Sequence, residues 1–263
     1  MSTLVTDTMV RNTMSKVPAV TLGFWVIKIL ATTLGETGGD AVTMTFGLGY
    51  LVGTAIFATV LVVAVGAQIR ARGFHPFLYW AVIVATTTAG TTLADFCDRS
   101  LGIGYVGGSS ILSVCVMAVL ALWYWSLGSV AVDSVTSRKA EAFYWATIMF
   151  SQTLGTALGD FLADTGGLGY EGGALVFGVA LAVVAGLYFY TGVSRVVLFW
   201  AAFILTRPLG ATVGDLLDKP VTQGGLALGR VEASAVLAAV IIGCILLIPQ
   251  RAGHHVGAER TAP

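Results

Sequence analysis

The chain has 263 residues, of which 56% are hydrophobic and 11% charged, and its formal net charge is zero. A soluble domain carries about 25% charged residues. The composition therefore excludes an ordinary soluble protein and predicts a single all-α membrane domain over residues 1–263, with the lipid bilayer as its partner. The neutral balance gives no reason to expect a nucleic-acid partner.

Residues 1–16 form a polar tail. The first apolar run, Val17–Gly39, carries Lys28, so it is expected to be a retained membrane helix and not a cleaved signal peptide. Further runs follow at Leu48–Gln68, Phe77–Ala94, Tyr105–Leu127, Ala142–Phe161, Tyr170–Thr191, Val196–Leu216 and Ala227–Pro249. Each has about the 20 residues that a span needs, which predicts eight transmembrane helices. A second tail covers residues 250–263. The longest connection, Gly128–Glu141, is too short for a soluble domain. There is no Walker loop, which excludes transport driven by this chain's own ATP hydrolysis. Cys97, Cys115 and Cys244 form no CxxC pair, and no cofactor is expected.

The helices pair into four tandem units, at about 17–73, 74–128, 139–192 and 194–249. Each unit opens on an aromatic pair: Phe24-Trp25, Tyr79-Trp80, Tyr144-Trp145 and Phe199-Trp200. The tryptophans are 55, 65 and 55 residues apart. A glycine follows ten residues after each (Gly35, Gly90, Gly155, Gly210) and an aspartate fifteen after (Asp40, Asp95, Asp160, Asp215). A unit with two spans leaves its orientation unchanged, so the repeats are parallel, arranged as a pseudo-fourfold ring or as a dimer of repeat pairs.

Nine lysines and arginines fall on one side: Arg11, Lys16, Arg70, Arg72, Arg138, Lys139, Arg195, Arg251 and Arg260. Three fall on the other: Arg99, Lys219 and Arg230. The positive-inside rule then predicts cytoplasmic N- and C-termini, with the aspartates at the outer ends of the odd helices. Trp25, Trp80, Trp145 and Trp200 come at headgroup depth, where tryptophan anchors a helix at the membrane interface; the alternative is a pore-lining or substrate-stacking role.

Small residues at ten and fourteen after tryptophan predict close helix packing: Gly35/Gly39, Gly90/Ala94, Gly155/Gly159 and Gly210/Gly214. Beside this seam runs a polar stripe at seven, eleven and fifteen, one helical face. It reads Thr32, Glu36, Asp40; Thr87, Thr91, Asp95; Gln152, Thr156, Asp160; and Arg207, Ala211, Asp215. Lys28 lies one turn before Thr32. Such groups are costly against lipid and are expected to face a shared interior, making an ion path. If all ionise, the four aspartates and Glu36 against Lys28 and Arg207 give a formal charge of −3 (−5 + 2). Clustered carboxylates suit a hard cation, so the four aspartates are the candidate metal ligands. Alternatively they are loop residues at helix ends, and Arg207 forms a buried lock with Glu36 or Asp215. Pro208 is expected to kink its helix.

With these residues in view, the chain resembles a family of bacterial membrane proteins built of four tandem two-helix repeats, each with a characteristic tryptophan, whose repeat is of unknown function. The resemblance spans Leu22 to about Leu247, through Trp25, Trp80, Trp145 and Trp200 and their aspartates. It implies an eight-helix protein of the bacterial inner membrane and supplies no activity. Gly35-Glu36-Thr37-Gly38-Gly39-Asp40 is also similar to the Glu-x-Gly-Asp motif of a cation-exchanger family, with a spacing one residue longer.

Three functions compete. The first is a secondary transporter or channel for a cation, divalent and proton-coupled in its most specific form. The second is a non-catalytic assembly or sensory module. An intramembrane aspartate enzyme comes last. It needs two carboxylates at one scissile group, and Ala157-Leu158-Gly159-Asp160 lacks the first glycine of the aspartyl-protease motif. No catalytic residue is assigned, and no oligomeric state is read.

Overall fold

The computed structural model describes residues 14–254. Arg11, Arg260 and His255 lie outside them, as do most of the two tails. Eight long helices follow in order: α1 (Leu22–Asp40), α2 (Gly49–Arg70), α3 (Pro76–Asp95), α4 (Gly104–Leu127), α5 (Arg138–Asp160), α6 (Gly169–Tyr190), α7 (Arg195–Asp218) and α8 (Arg230–Leu247). Two short strands, β1 (Met14–Pro18) and β2 (Ala252–His254), pair antiparallel.

Local chemistry sets the helix starts. Thr21 accepts a hydrogen bond from the Phe24 amide, His75 from Leu78 and Ser137 from Ala140, each three residues on. These side chains satisfy amides that have no partner in the first helical turn. Gly128 ends α4 in the left-handed conformation, at φ 74°.

The odd helices make an inner ring. Helix α1 packs on α3, α3 on α5, α5 on α7 and α7 back on α1. The even helices make an outer layer. Each packs chiefly on the odd helix of the next unit: α2 on α3, α4 on α5, α6 on α7, and α8 on α1. The expected hairpin is therefore open. Its second helix crosses to the neighbouring unit, and the last crossing closes the circle.

The outer helices expose bare apolar side chains such as Leu51, Val62, Val114, Leu175 and Leu246. Continuous apolar surface of this kind needs a nonaqueous partner. Six of the eight helices are long and apolar enough to cross a membrane, all but α1 and α5. Helices α1 and α5 are less apolar than the other six. Their burial is in the ring, so they carry polar residues such as Lys28, Glu36 and Gln152 in place of apolar ones.

The small-residue seam is present and runs around the ring. A Cβ on Gly35 would overlap Thr87, one on Gly155 would overlap Arg207, and one on Gly210 would overlap Thr32. A Cβ on Gly90 would meet the Gln152–Thr153 backbone at 3.0–3.1 Å. In every case, position ten of one unit receives position seven of the next. Hydroxyls reinforce the seam: Thr32 donates to Thr206 O at 3.1 Å and Thr91 to Gly35 O at 3.1 Å.

The aromatic pairs obey the same rotation. The first ring of each pair packs on the next unit's tryptophan: Phe24 on Trp80, Tyr79 on Trp145, Tyr144 on Trp200 and Phe199 on Trp25. Trp80, Trp145 and Trp200 are buried, and Trp25 is half-buried. This corrects the expectation of membrane-interface anchors. Large flat rings at inter-helix contacts bury more area than they would at a lipid boundary.

Candidate functional site

The odd helices stack their inward residues in layers one helical turn apart, a rise of about 6 Å each. At the tryptophan end lie Phe24, Tyr79, Tyr144 and Phe199, all buried. The next inward positions hold Lys28, Ile83, Ile148 and Phe203, fully buried. Then come Thr32, Thr87, Gln152 and Arg207, then Glu36, Thr91, Thr156 and Ala211, and last the four aspartates. The whole predicted stripe is buried. The axis is thus apolar in one half and polar in the other.

Asp40, Asp95 and Asp160 are the last residues of their α-helices, but the helical backbone does not stop there. After Asp40, Asp95 and Asp160 the chain continues into π-helical turns, Ala41–Thr45, Phe96–Ser100 and Phe161–Thr165. After Asp215, α7 runs on to Asp218. The carboxylates therefore stand near the C-terminal ends of the odd α-helices, within continuous helical backbone and not in loops. Wider turns of this type inside α-helices recur at functional sites.

Two cations, foreseen only as loop charges, serve the four carboxylates. Arg99 contacts Asp95 at 2.8 Å and Asp160 at 3.1 Å. Lys219 contacts Asp40 at 2.5 Å and Asp215 at 3.0 Å. Each lies four residues after its own aspartate and bridges to a neighbouring unit. The Asp95 and Asp215 Oδ1 atoms make these contacts as ion pairs, without hydrogen-bond alignment. Burial alone would lower the Lys219 pKa, but Asp215, Asp40 and Asp218 raise it well above the usual lysine range, so it stays charged. Arg230 adds an ion pair to Asp218 at 3.1 Å. With Arg99 and Lys219 counted, the formal −3 becomes −1 (−5 + 4).

Below the ring lies the lock. Arg207 pairs with Glu36 at 2.9 Å. The same guanidinium donates to Thr91 at 2.5 Å, Thr156 at 2.6 Å and the Thr32 carbonyl at 3.3 Å. One side chain of the fourth unit thereby touches the other three. Of the two candidate partners, Glu36 is the one engaged. Oxygens of Glu36, Asp40 and Asp215 lie within 4.8 Å of one another, an arrangement that can hold a metal ion. Lys28 sits one turn deeper, donating to Thr206 at 3.3 Å, with its ammonium 4.2 Å from the Phe203 ring centroid.

The sequence did carry a signal for the bridging cations. The residues four after the motif aspartates are Met44, Arg99, Asp164 and Lys219. The alternation puts a cation in every second unit, and each serves two units. Phe24 with Phe199 (6.2 Å) and Tyr79 with Tyr144 (O···O 2.6 Å) repeat that pairing at the other end. The ring of helices is fourfold while its chemistry is twofold, joining units one with four and two with three.

No curated protein and no solved structure matches the chain. Residues 23–74, 78–129, 143–194 and 198–249 each match the family described as Repeat of Unknown Function (DUF347). With four tandem copies covering most of its length, the chain belongs to the DUF347 repeat family.

Proposed function

We propose that this chain is an eight-span protein of the bacterial inner membrane, with both termini cytoplasmic, that moves a small cation along the axis of its repeat ring. The orientation rests on the nine-to-three division of basic residues. The transport reading rests chiefly on one observation: carboxylates from α1 and α7 converge, with Glu36, Asp40 and Asp215 oxygens within 4.8 Å. Three hard oxygens at that spacing suit magnesium, calcium or manganese. Lys219 is then a tethered cation in the same place, which an arriving ion displaces toward the outer surface. Neutralising Asp40 and Asp215 by metal removes the need for the lysine, so exchange leaves no carboxylate bare. Below, Arg207 must leave Glu36 for the path to open. The aromatic layer is the second barrier.

A non-conducting membrane module is the second reading. The observation favouring it is that Arg207 hydrogen-bonds to all three other units and fills the axis. Flux into proteoliposomes separates the two. Purified protein should move at least one of magnesium, calcium, manganese, sodium or potassium faster than protein-free vesicles. Movement of none of them would leave the module as the reading that stands.

A further inference from the structure

The boundary between the apolar and polar halves of the axis contains a second group of side chains that the cation ring does not use. Lys28 is fully buried, and no carboxylate lies within ion-pair distance of it among the described residues. Its partners are the Thr206 hydroxyl and the face of Phe203. One turn outward, the Gln152 amide is fully buried with neither its nitrogen nor its oxygen partnered. The Thr87 hydroxyl and the Arg207 Nε are buried and unpartnered as well. Thr87, Gln152 and Arg207 occupy the same offset on successive helices of the ring, and Thr32, which completes that layer, sits directly above Lys28 on α1. The spare groups are therefore gathered in two adjacent turns of one axis.

Their chemistry is weighted toward donors. An ammonium, a guanidinium N–H, an amide NH₂ and a hydroxyl can all donate, and the Gln152 oxygen is the one pure acceptor among these unpartnered atoms. Glu36 is engaged by Arg207, so the formal positive charge of Lys28 has no carboxylate of its own in these layers. A charge left unbalanced at that depth is costly, and buried donors without acceptors add to the cost. A small anion supplies both the negative charge and the acceptor. We propose that a halide ion, chloride under physiological conditions, binds between Lys28 and the Thr87–Gln152–Arg207 layer. The inference stands apart from the transport reading, since binding needs no flux. If both hold, the anion screens the two basic groups that a cation would otherwise pass at close range.

The test uses the full chain, purified in detergent. Unfolding temperature is measured in sodium gluconate with sodium bromide added at constant ionic strength. Wild type should show a saturable rise with bromide, as mass action requires of a ligand that binds the folded state. Lys28→Met keeps the length of the side chain without its charge and should lose that rise. Gln152→Leu retains the charge and should shift saturation to at least roughly tenfold higher bromide, about the loss of one hydrogen bond to a charged group. Bromine anomalous scattering from crystals grown in bromide locates the ion even where a variant folds poorly. Density beside Lys28 supports the site. An unfolding temperature indifferent to bromide, an unchanged response in Lys28→Met, or bromide at the surface alone overturns it, and water then satisfies these donors.

Discussion

At the residue scale, Arg207 is the most connected polar group of the axis. It is fully buried, and its one acidic partner is Glu36. Removing one member of a buried pair strands the other, at about 3–5 kcal/mol. Arg207→Ala should therefore lower stability in detergent by about that amount. Adding Glu36→Ala should recover part of the loss, because no carboxylate is left bare. A double variant whose losses simply add would refute the coupling. Ala227 offers a test of the opposite sign. The glycines Gly47, Gly102 and Gly167 lie in the connections between the two helices of three units at φ 65–72°, and Ala227 holds the left-handed conformation at φ 54° before α8. That conformation costs a side-chain-bearing residue about 1–2 kcal/mol, and glycine's greater chain entropy offsets roughly 0.5–1 kcal/mol. Ala227→Gly should raise stability by up to about 1.5 kcal/mol in a denaturant or thermal titration. A fall would show that the turn is not strained.

At the element scale, the gapless register of the four odd helices made most of the site legible in the sequence. Glycines ten after tryptophan had to be close contacts, and polar residues at seven, eleven and fifteen had to share a face. Other features were hidden for identifiable reasons. Periodicity tells which side of a helix is buried but not which helix covers it, so the crossing of each even helix to the next unit could not be read. The tryptophans sat where interface anchors sit, and nothing local distinguishes a ring facing lipid from one facing a neighbouring helix. Phe96-Cys97-Asp98-Arg99-Ser100 looks like a loop because it is polar, yet it continues α3 as a π-helical turn and brings Arg99 back to Asp95. The seam itself can be tested by overpacking, which costs about 1–3 kcal/mol. Gly90→Leu and Gly155→Leu should lose about that much, because their neighbours are backbone and the Arg207 stem. Gly178→Leu on α6 meets nothing within 4 Å and should melt like wild type. Equal behaviour of all three variants would remove the seam from the account.

At the scale of the whole molecule, two symmetries are superimposed. Backbone packing turns by one unit at a time, and charge pairing joins units two by two. Reporter fusions after Arg72 and after Ser137 should both report cytoplasm if the basic ends face inward; a periplasmic signal at either contradicts that orientation. Cation uptake, if it proceeds through the carboxylates, should weaken on acidification, since protons compete for the same oxygens. The most direct measurement is flux of the transported cation into proteoliposomes by wild type and by the four Asp→Asn variants, each of which keeps the shape of the side chain without its charge. Asp40→Asn and Asp215→Asn should abolish flux, because those oxygens converge with Glu36. Asp95→Asn and Asp160→Asn should reduce it by loosening Arg99. Wild-type flux in all four would contradict an axial path through these aspartates.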